Sequence, residues 1–297
     1  MEPSECRLSL DQLKRAFRPF ENISNELNAD LNPKERFNKL EEISLTRIYS
    51  KRKAEVGASH PNRYDCGHPY DDHRATVDRE YFNCSPICFE DETVYAAEAP
   101  TEKSLQIFLK FLTQPLPESK EGIQIVVCLT MPIEKDKDKC LEYWRASNIE
   151  IIWHRVIKEM GNQSVTETSL KLPSGKIIRL FRYLNWPDGH RCKKHLLYSL
   201  IKRVSKYKSQ SKLFHCSLGA GRTGTALVAY RIFNIKNINL DREILWMRQQ
   251  RWGLVRSDGQ YKMLVEFINY VKSSKDEHAV STPENTLRKT AAKISLI

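Results

Sequence analysis

The sequence predicts an α/β domain built on one central, twisted, mixed β-sheet flanked by helices. Three observations predict it. Short β-branched runs alternate with helical patterns along the chain, the order that layers helices over a sheet. The stretch from Ser211 to Phe233 passes from a strand through a glycine-rich turn into an apolar helix, so the turn sits at the C-terminal end of a central strand. The 297 residues, 40% hydrophobic and 29% charged, suffice for one large domain with short extensions.

The elements follow in order. Ser9 and Gln12 form a capping box that opens a short helix to about Phe17. Asn32 caps a second helix, with Pro33 at its first position and Glu35 closing the box, and Phe37, Leu40 and Ile43 line one face to about Ile48. Residues 51–75, with Pro61, Gly67 and Pro69, read as loop. Residues 80–85 and 93–97 read as strands, residues 101–112 as a helix, and residues 123–130 as a buried strand by length and β-branching. A polar turn at residues 134–139 precedes three strand-like runs at 149–157, 165–172 and 176–183, with Ser174-Gly175 as a hairpin turn between the last two. From Lys193 the chain is helix, strand, glycine-rich loop and three helices to about Lys272. The domain boundaries expected are a helical extension at 1–31, a catalytic domain at 32–275 and a flexible Ser/Thr/Lys/Glu-rich tail at 276–297.

Composition narrows the function classes. The formal net charge of +11 favours anionic substrates, but it is spread along the chain and does not argue for nucleic acid. Mean hydropathy is −0.54, and no apolar run approaches the ~20 residues of a membrane span. The N-terminus is polar, without the pattern of a signal peptide. The eight cysteines are scattered without a CxxC, which fits a reducing cytosol, the chain's own or that of a host cell. Asn22, Asn83 and Asn162 head glycosylation triplets that a cytosol leaves unused. Cys66, His68, His73, Cys84 and Cys88 fit no standard zinc spacing, so neither metal nor cofactor is expected.

The chemistry concentrates in His215-Cys216-Ser217-Leu218-Gly219-Ala220-Gly221-Arg222-Thr223-Gly224. A strand, a glycine-rich turn and a helix N-terminus make an anion site from converging backbone N–H groups and the helix dipole. Arg222 adds a planar fork suited to a tetrahedral oxyanion. The same field favours a thiolate, which makes Cys216 a candidate nucleophile of lowered pKa. Phosphate held over a thiolate implies in-line attack on phosphorus and a cysteinyl-phosphate. The displaced oxygen needs a proton donor, and Trp186-Pro187-Asp188 offers one: Trp186 anchors the loop, Pro187 stiffens it, and Asp188 swings over the phosphate as general acid.

The segment around Cys216 resembles the signature loop of the protein tyrosine phosphatases, His-Cys-x5-Arg-Ser/Thr-Gly, and the resemblance to the phosphotyrosine-specific members runs from about Asn62 to Ile268. Asn62-Arg-Tyr64 resembles the loop whose tyrosine stacks on the substrate ring. Residues 79–85 resemble the Tyr-Ile-Asn-Ala-Ser strand. Glu134 and Lys139-Cys140-Leu-Glu-Tyr143-Trp144 match the acidic-then-Lys-Cys-x-x-Tyr-Trp stretch, and residues 248–255 with Gln260-Tyr261 resemble the closing glutamine loop. The resemblance implies a monomeric phosphatase of that fold acting on phosphotyrosine-containing proteins. Cys216 is its nucleophile, Arg222 and residues 217–221 its phosphate cradle, and Asp188 its acid and base. Thr223 assists the leaving thiolate, His215 supports the thiol through the backbone, Glu134 orients Arg222, Lys139 contacts the acid loop, and Tyr64 sets pocket depth.

Several positions depart from the family pattern. Arg256 stands where a glutamine usually positions the hydrolytic water, while the second glutamine, Gln260, is kept. Asp65 and Cys66 follow Tyr64, with Cys66 where an aspartate usually grips the substrate backbone. Gly189 and His190 replace the apolar cover after the acid, and Gln-Gly-Pro reads Glu98-Ala99-Pro100. Arg256 motivates one alternative, a phosphotyrosine-binding module with slow turnover. A phosphoinositide phosphatase ranks lower, because Ser217, Leu218 and Ala220 lack the lysines a polyanionic head group favours.

Overall fold

A computed structural model of the chain describes residues 8–20, 23, 27, 30–51, 62–78 and 80–280. At the N-terminus Ser9 and Gln12 close the expected capping box on α1 (Leu10–Phe17), which a 3₁₀ turn, Arg18–Phe20, extends. Asn32 Oδ1 accepts from the amides of Lys34 and Glu35 to open α2 (Pro33–Ile43), and a π turn over Ser44–Ile48 carries it to the expected end. These first helices pack on the body of the molecule: the Phe17 ring meets Trp246 edge-on at 5.1 Å, and Phe20, Ile23, Phe37 and Leu40 join the main core.

Seven strands form the central sheet. β3 (Cys84–Cys88), β4 (Thr93–Ala97), β5 (Ile125–Cys128), β8 (Glu150–Met160), β9 (Gln163–Lys171), β10 (Ile177–Leu184) and β11 (Lys212–His215) lie in the order β3-β4-β11-β5-β10-β9-β8. β11 runs parallel to β4 and β5, and β10 runs parallel to β5. The outer pairings are antiparallel, so the sheet is mixed, as expected. The four residues of both β5 and β11 are buried, which fits the apolar run of β5 and the Leu213-Phe214 pair of β11. One face is covered by α4 (Lys194–Val204), α5 (Gly221–Asn234), α6 (Leu240–Arg248) and α7 (Asp258–Val280), the other by α3 (Leu105–Thr113) and the turn Tyr143–Arg145.

Local structure corrects several expectations. The strand expected at 80–85 breaks at Phe82-Asn83, where the Cys84 amide donates back to Phe82 O at 2.7 Å. Its first part, β2 (Glu80–Tyr81), pairs instead with β1 (Thr76–Val77), directly after the segment expected to be loop. The helix expected from Thr101 starts at Leu105, because Ser104 and Thr101 bond each other's backbone and side chain in a preceding turn. The polar turn at 134–139 is the tip of a hairpin, β6 (Ile133–Glu134) and β7 (Lys137–Asp138), closed by Lys135 and Asp136 at positive φ. The apolar residues of β8 lie on an edge strand, with Ile151 and Val156 half exposed. Helix α7 continues to Val280, past the expected tail boundary at 275. Residues 281–297 and the calls on Cys6, Asn22, Pro61 and Arg79 fall outside the described residues. Among the described residues no helix is long and apolar enough to cross a membrane.

Candidate active site

The site forms where β11 ends. His215 lies opposite Ala97 of β4 and Cys128 of β5, so residues 216–220 leave the sheet between two strands, and α5 begins at Gly221. Gly219 adopts φ +76°, and a Cβ there would stand 2.2 Å from Ala97 O, so glycine is required. Its amide donates to Cys216 Sγ at 3.3 Å, and Cys216 is 3% exposed. The loop is clamped from below by Arg251, which donates to Gly219 O (2.8 Å), Leu218 O (3.2 Å) and Asn83 Oδ1 (2.9 Å). In the sequence Arg251 stands only as one residue of the stretch 248–255. Its signal was an arginine set among apolar and glycine positions, but its partners lie far away in the chain.

Arg222 is buried, and its guanidinium is used unevenly. Nη1 donates to Glu134 Oε1 (2.5 Å) and Trp186 O (2.9 Å). Nε and Nη2 have no hydrogen-bond partner, and Asp188 Oδ1 lies 3.3 Å from Nη2 as an ion pair. Buried donors without acceptors are costly, so this edge of the fork can take an incoming oxyanion. Burial opposes the charge of Arg222, yet Cys216, Glu134 and Asp188 hold its pKa above the ordinary value. Glu134 is itself fixed by Thr130 Oγ1 (2.7 Å) and the Met131 amide (3.1 Å). The Thr223 hydroxyl, one residue on, is likewise buried without a partner.

Asp188 sits across from this fork. Trp186 is buried, its Nε1 donates to His190 O (2.9 Å), and Asn185 turns the chain at φ +60°. Asp188 Oδ2 accepts from Lys139 Nζ at 3.3 Å. Burial raises the Asp188 pKa, but Arg222 and Lys139 together outweigh it and hold the carboxyl below the usual range. In place of an apolar cover, Gly189 offers its carbonyl to Ser257 Oγ (2.9 Å), and His190 Nδ1 donates to Asp188 O (2.6 Å).

The rim carries Tyr64, whose hydroxyl bonds Ser217 Oγ (2.8 Å) and Lys139 Nζ (3.4 Å). Its loop is held by Glu98 Oε2, which accepts the Arg63 amide (3.0 Å). Burial, only partly offset by that bond and by Arg251, pushes Glu98 up to about 7. Leu218 packs against Gly67, and Asp65 and Cys66 are exposed. Gln260 is buried, and a Cβ on Gly221 would lie 3.0 Å from its Nε2, which puts the amide against the cradle. Arg256 is exposed and stacks over Trp252 at 4.6 Å, so its guanidinium does not occupy the cradle. Just before Arg256, Val255 adopts φ +62°, rare for a β-branched residue, and Arg248 holds Leu254 O (3.0 Å) and Val255 O (2.6 Å).

Beside Cys216, His215 bonds Tyr143 Oη through Nε2 (2.9 Å) and Cys216 O through Nδ1 (3.3 Å). The cysteines and histidines weighed for a metal do not gather: His73 bonds Pro86 O, and His68 bonds Asn62. Among the described residues the histidine–cysteine group that does gather is Cys128, Cys140 and His215, which sequence spacing did not reveal.

A protein-tyrosine phosphatase family model matches residues 58–270. Among curated proteins, receptor-type tyrosine-protein phosphatase eta of Homo sapiens is 25% identical over 256 residues, covering 77% of this chain and 19% of its own length. Receptor-type tyrosine-protein phosphatase-like N of Mus musculus is 26% identical over 235 residues, covering 70% and 23%. The chain therefore spans about a fifth of the length of these relatives. A solved structure of PTPN18 in complex with HER2 phosphor-peptides superposes with a TM-score of 0.69 at 18% identity, covering 87% of this chain and 97% of that one, which shows a shared fold.

Proposed function

The chain belongs to the protein-tyrosine phosphatase family, and from that premise we propose that it hydrolyses phosphotyrosine in proteins through a cysteinyl-phosphate. The observation that carries this reading is the half-used Arg222. One edge of its guanidinium is fastened to Glu134 and Trp186 O, while Nε and Nη2 make no hydrogen bond and meet only the Asp188 carboxylate as an ion pair. A phosphate there receives Nε and Nη2 together with loop N–H groups at the start of α5.

Cys216 Sγ attacks phosphorus opposite the tyrosyl oxygen. The P–O bond breaks as P–S forms, and Asp188 gives its proton to the departing phenolate. Asp188 is depressed by Arg222 and Lys139 in the free protein. A bound phosphate occupies Arg222 and adds negative charge, which raises the Asp188 pKa and favours the protonated form the first step needs. Water then attacks phosphorus, Asp188 takes its proton, and sulfur leaves as thiolate with the Thr223 hydroxyl able to donate to it. Gln260, packed against Gly221, is the amide within reach of that water, whereas Arg256 faces Trp252. Tyr64, tied to Ser217, walls the mouth so that an aryl phosphate reaches the thiol and a shorter side chain does not. The reading places the protein, acting as a monomer, in a reducing cytosol, where Cys216 stays reduced.

The test is turnover of the purified chain, in chelator, against a phosphotyrosine peptide, a phosphoserine peptide and phosphoinositides. Selective release of phosphate from phosphotyrosine is expected. Comparable cleavage of phosphoserine removes the deep-pocket assignment, preferred cleavage of phosphoinositides replaces the substrate class, and binding without turnover replaces the enzyme with a recognition module.

A further inference from the structure

Cys128 is the last residue of β5, Cys140 follows the β6–β7 hairpin, and His215 ends β11, so three separate segments meet beneath the nucleophile. One donor atom from each lies within 4.8 Å of the other two, and all three residues are buried. The carbonyl of Cys216 can only accept, so the His215 Nδ1 that faces it at 3.3 Å carries the proton, and Nε2 presents its lone pair. That lone pair accepts from Tyr143 Oη at 2.9 Å, so an ion takes Nε2 by displacing this one bond and turning the hydroxyl aside. Cys216 Sγ points instead to the Gly219 amide.

We propose that Cys128, Cys140 and His215 form a binding site for a thiophilic d¹⁰ cation of the Zn²⁺ class, behind the catalytic loop and separate from it. The donor set is right for such an ion. Two sulfurs and an imidazole nitrogen select zinc over the hard cations that prefer oxygen. Bond lengths of about 2.3 Å to sulfur and about 2.0 Å to nitrogen require donors some 3.5–3.8 Å apart, within a small side-chain adjustment of the separations seen. Binding releases a proton from each thiol, and the two thiolates cancel the dication, so the buried site is neutral. The Nδ1–H to Cys216 O contact is the outer-shell bond that a ligating histidine uses to fix its tautomer. It also joins the ion to the backbone of the nucleophile. The inference does not depend on the phosphatase reading, because binding is read with the nucleophile removed.

The experiment uses the full chain carrying Cys216→Ser, titrated anaerobically with Co²⁺ and then Zn²⁺. One equivalent of cobalt should bind with sulfur-to-cobalt charge-transfer absorption and the visible bands of a tetrahedral ion, and zinc should displace it. Adding Cys128→Ser or Cys140→Ser should each abolish the charge-transfer band or cut it to about half. No band in the parent, or a band undiminished in both variants, overturns the site, as does thiol mapping that finds a Cys128–Cys140 disulfide and no bound ion. Circular dichroism checks that the variants fold. Should a serine variant unfold, X-ray absorption of the zinc-loaded parent decides: two sulfur scatterers near 2.3 Å support the site, and a shell of nitrogen and oxygen alone overturns it.

Discussion

At the scale of single residues, each proposed role can be separated by what its atoms can and cannot do. Cys216→Ser should abolish turnover while the fold and phosphotyrosine binding persist, since the cradle is backbone and Arg222; residual turnover near wild type would remove Cys216 as nucleophile. Asp188→Ala should lower turnover by roughly 10²–10⁴, most for poor leaving groups. Lys139 depresses the Asp188 carboxyl, so removing its charge lets that pKa rise. Lys139→Ala should therefore move the limb on which kcat/KM falls with rising pH toward higher pH, and a limb that stays in place would separate Lys139 from the acid. The family position of Arg256 suggests a defect in the second step, but the structure relocates the question. Gln260 lies against Gly221 and Arg256 lies over Trp252. Rapid-quench trapping with an activated aryl phosphate should show phosphoenzyme accumulating in Gln260→Ala and little change in Arg256→Gln. The reverse pattern would return the role to position 256.

At the scale of elements, the loops of the site are held by buried cations reaching from elsewhere. Arg251, in the turn after α6, fastens the carbonyls of Gly219 and Leu218 and ties them to Asn83 before β3. Arg248 does the same for the Leu254-Val255 turn and reaches back to Glu41 of α2. Truncating a buried donor leaves its acceptors unsatisfied, at about 1–3 kcal/mol for each such group. Arg251→Met should accordingly lower the denaturation midpoint and loosen phosphate or vanadate binding together, measured by urea unfolding and isothermal titration. A variant that loses stability but keeps vanadate affinity would show that the loop holds its shape without the clamp. This layer was hard to read beforehand. The strand, loop and helix are local patterns, but the partners of Arg251 lie 32 to 184 residues away, and no periodicity announces them.

At the scale of the whole molecule, the buried carboxyl of Glu98 links stability to pH. Its pKa is pushed up to about 7, chiefly by burial, above the ~4.3 of an unfolded glutamate. A group whose folded pKa is raised favours the folded state below the unfolded value, and that contribution is lost as pH rises toward the folded value. Between about pH 4.3 and 7 the loss amounts to about 4 kcal/mol at 1.36 kcal/mol per unit. Glu98→Gln, the residue the family carries at this place, cannot ionise. The variant should gain on the wild type as pH rises through that window, as seen in urea midpoints from pH 4 to 8. Parallel curves for the two proteins would mean that Glu98 remains charged in the fold.

By itself the sequence determined what depends on neighbours along the chain. The Ser9 and Asn32 caps, the hairpin at Gly175, the buried strand at β5 and the strand–loop–helix around Cys216 are legible because their physics is local: capping hydrogen bonds, β-branching and glycine torsions act over a few residues. The order of motifs then identified the family and the mixed sheet. Only the tertiary structure decided which atoms meet. It split the strand at Phe82-Asn83, gave Gln260 rather than Arg256 the place beside Gly221, left Nε and Nη2 of Arg222 without hydrogen-bond partners, and brought Cys128, Cys140 and His215 together. Those outcomes are set by the sheet order, which lays β11 between β4 and β5 and so joins strand partners that are 87 and 118 residues apart. Side-chain contact across a sheet is a property of register and packing, and neither is written in the spacing of one segment.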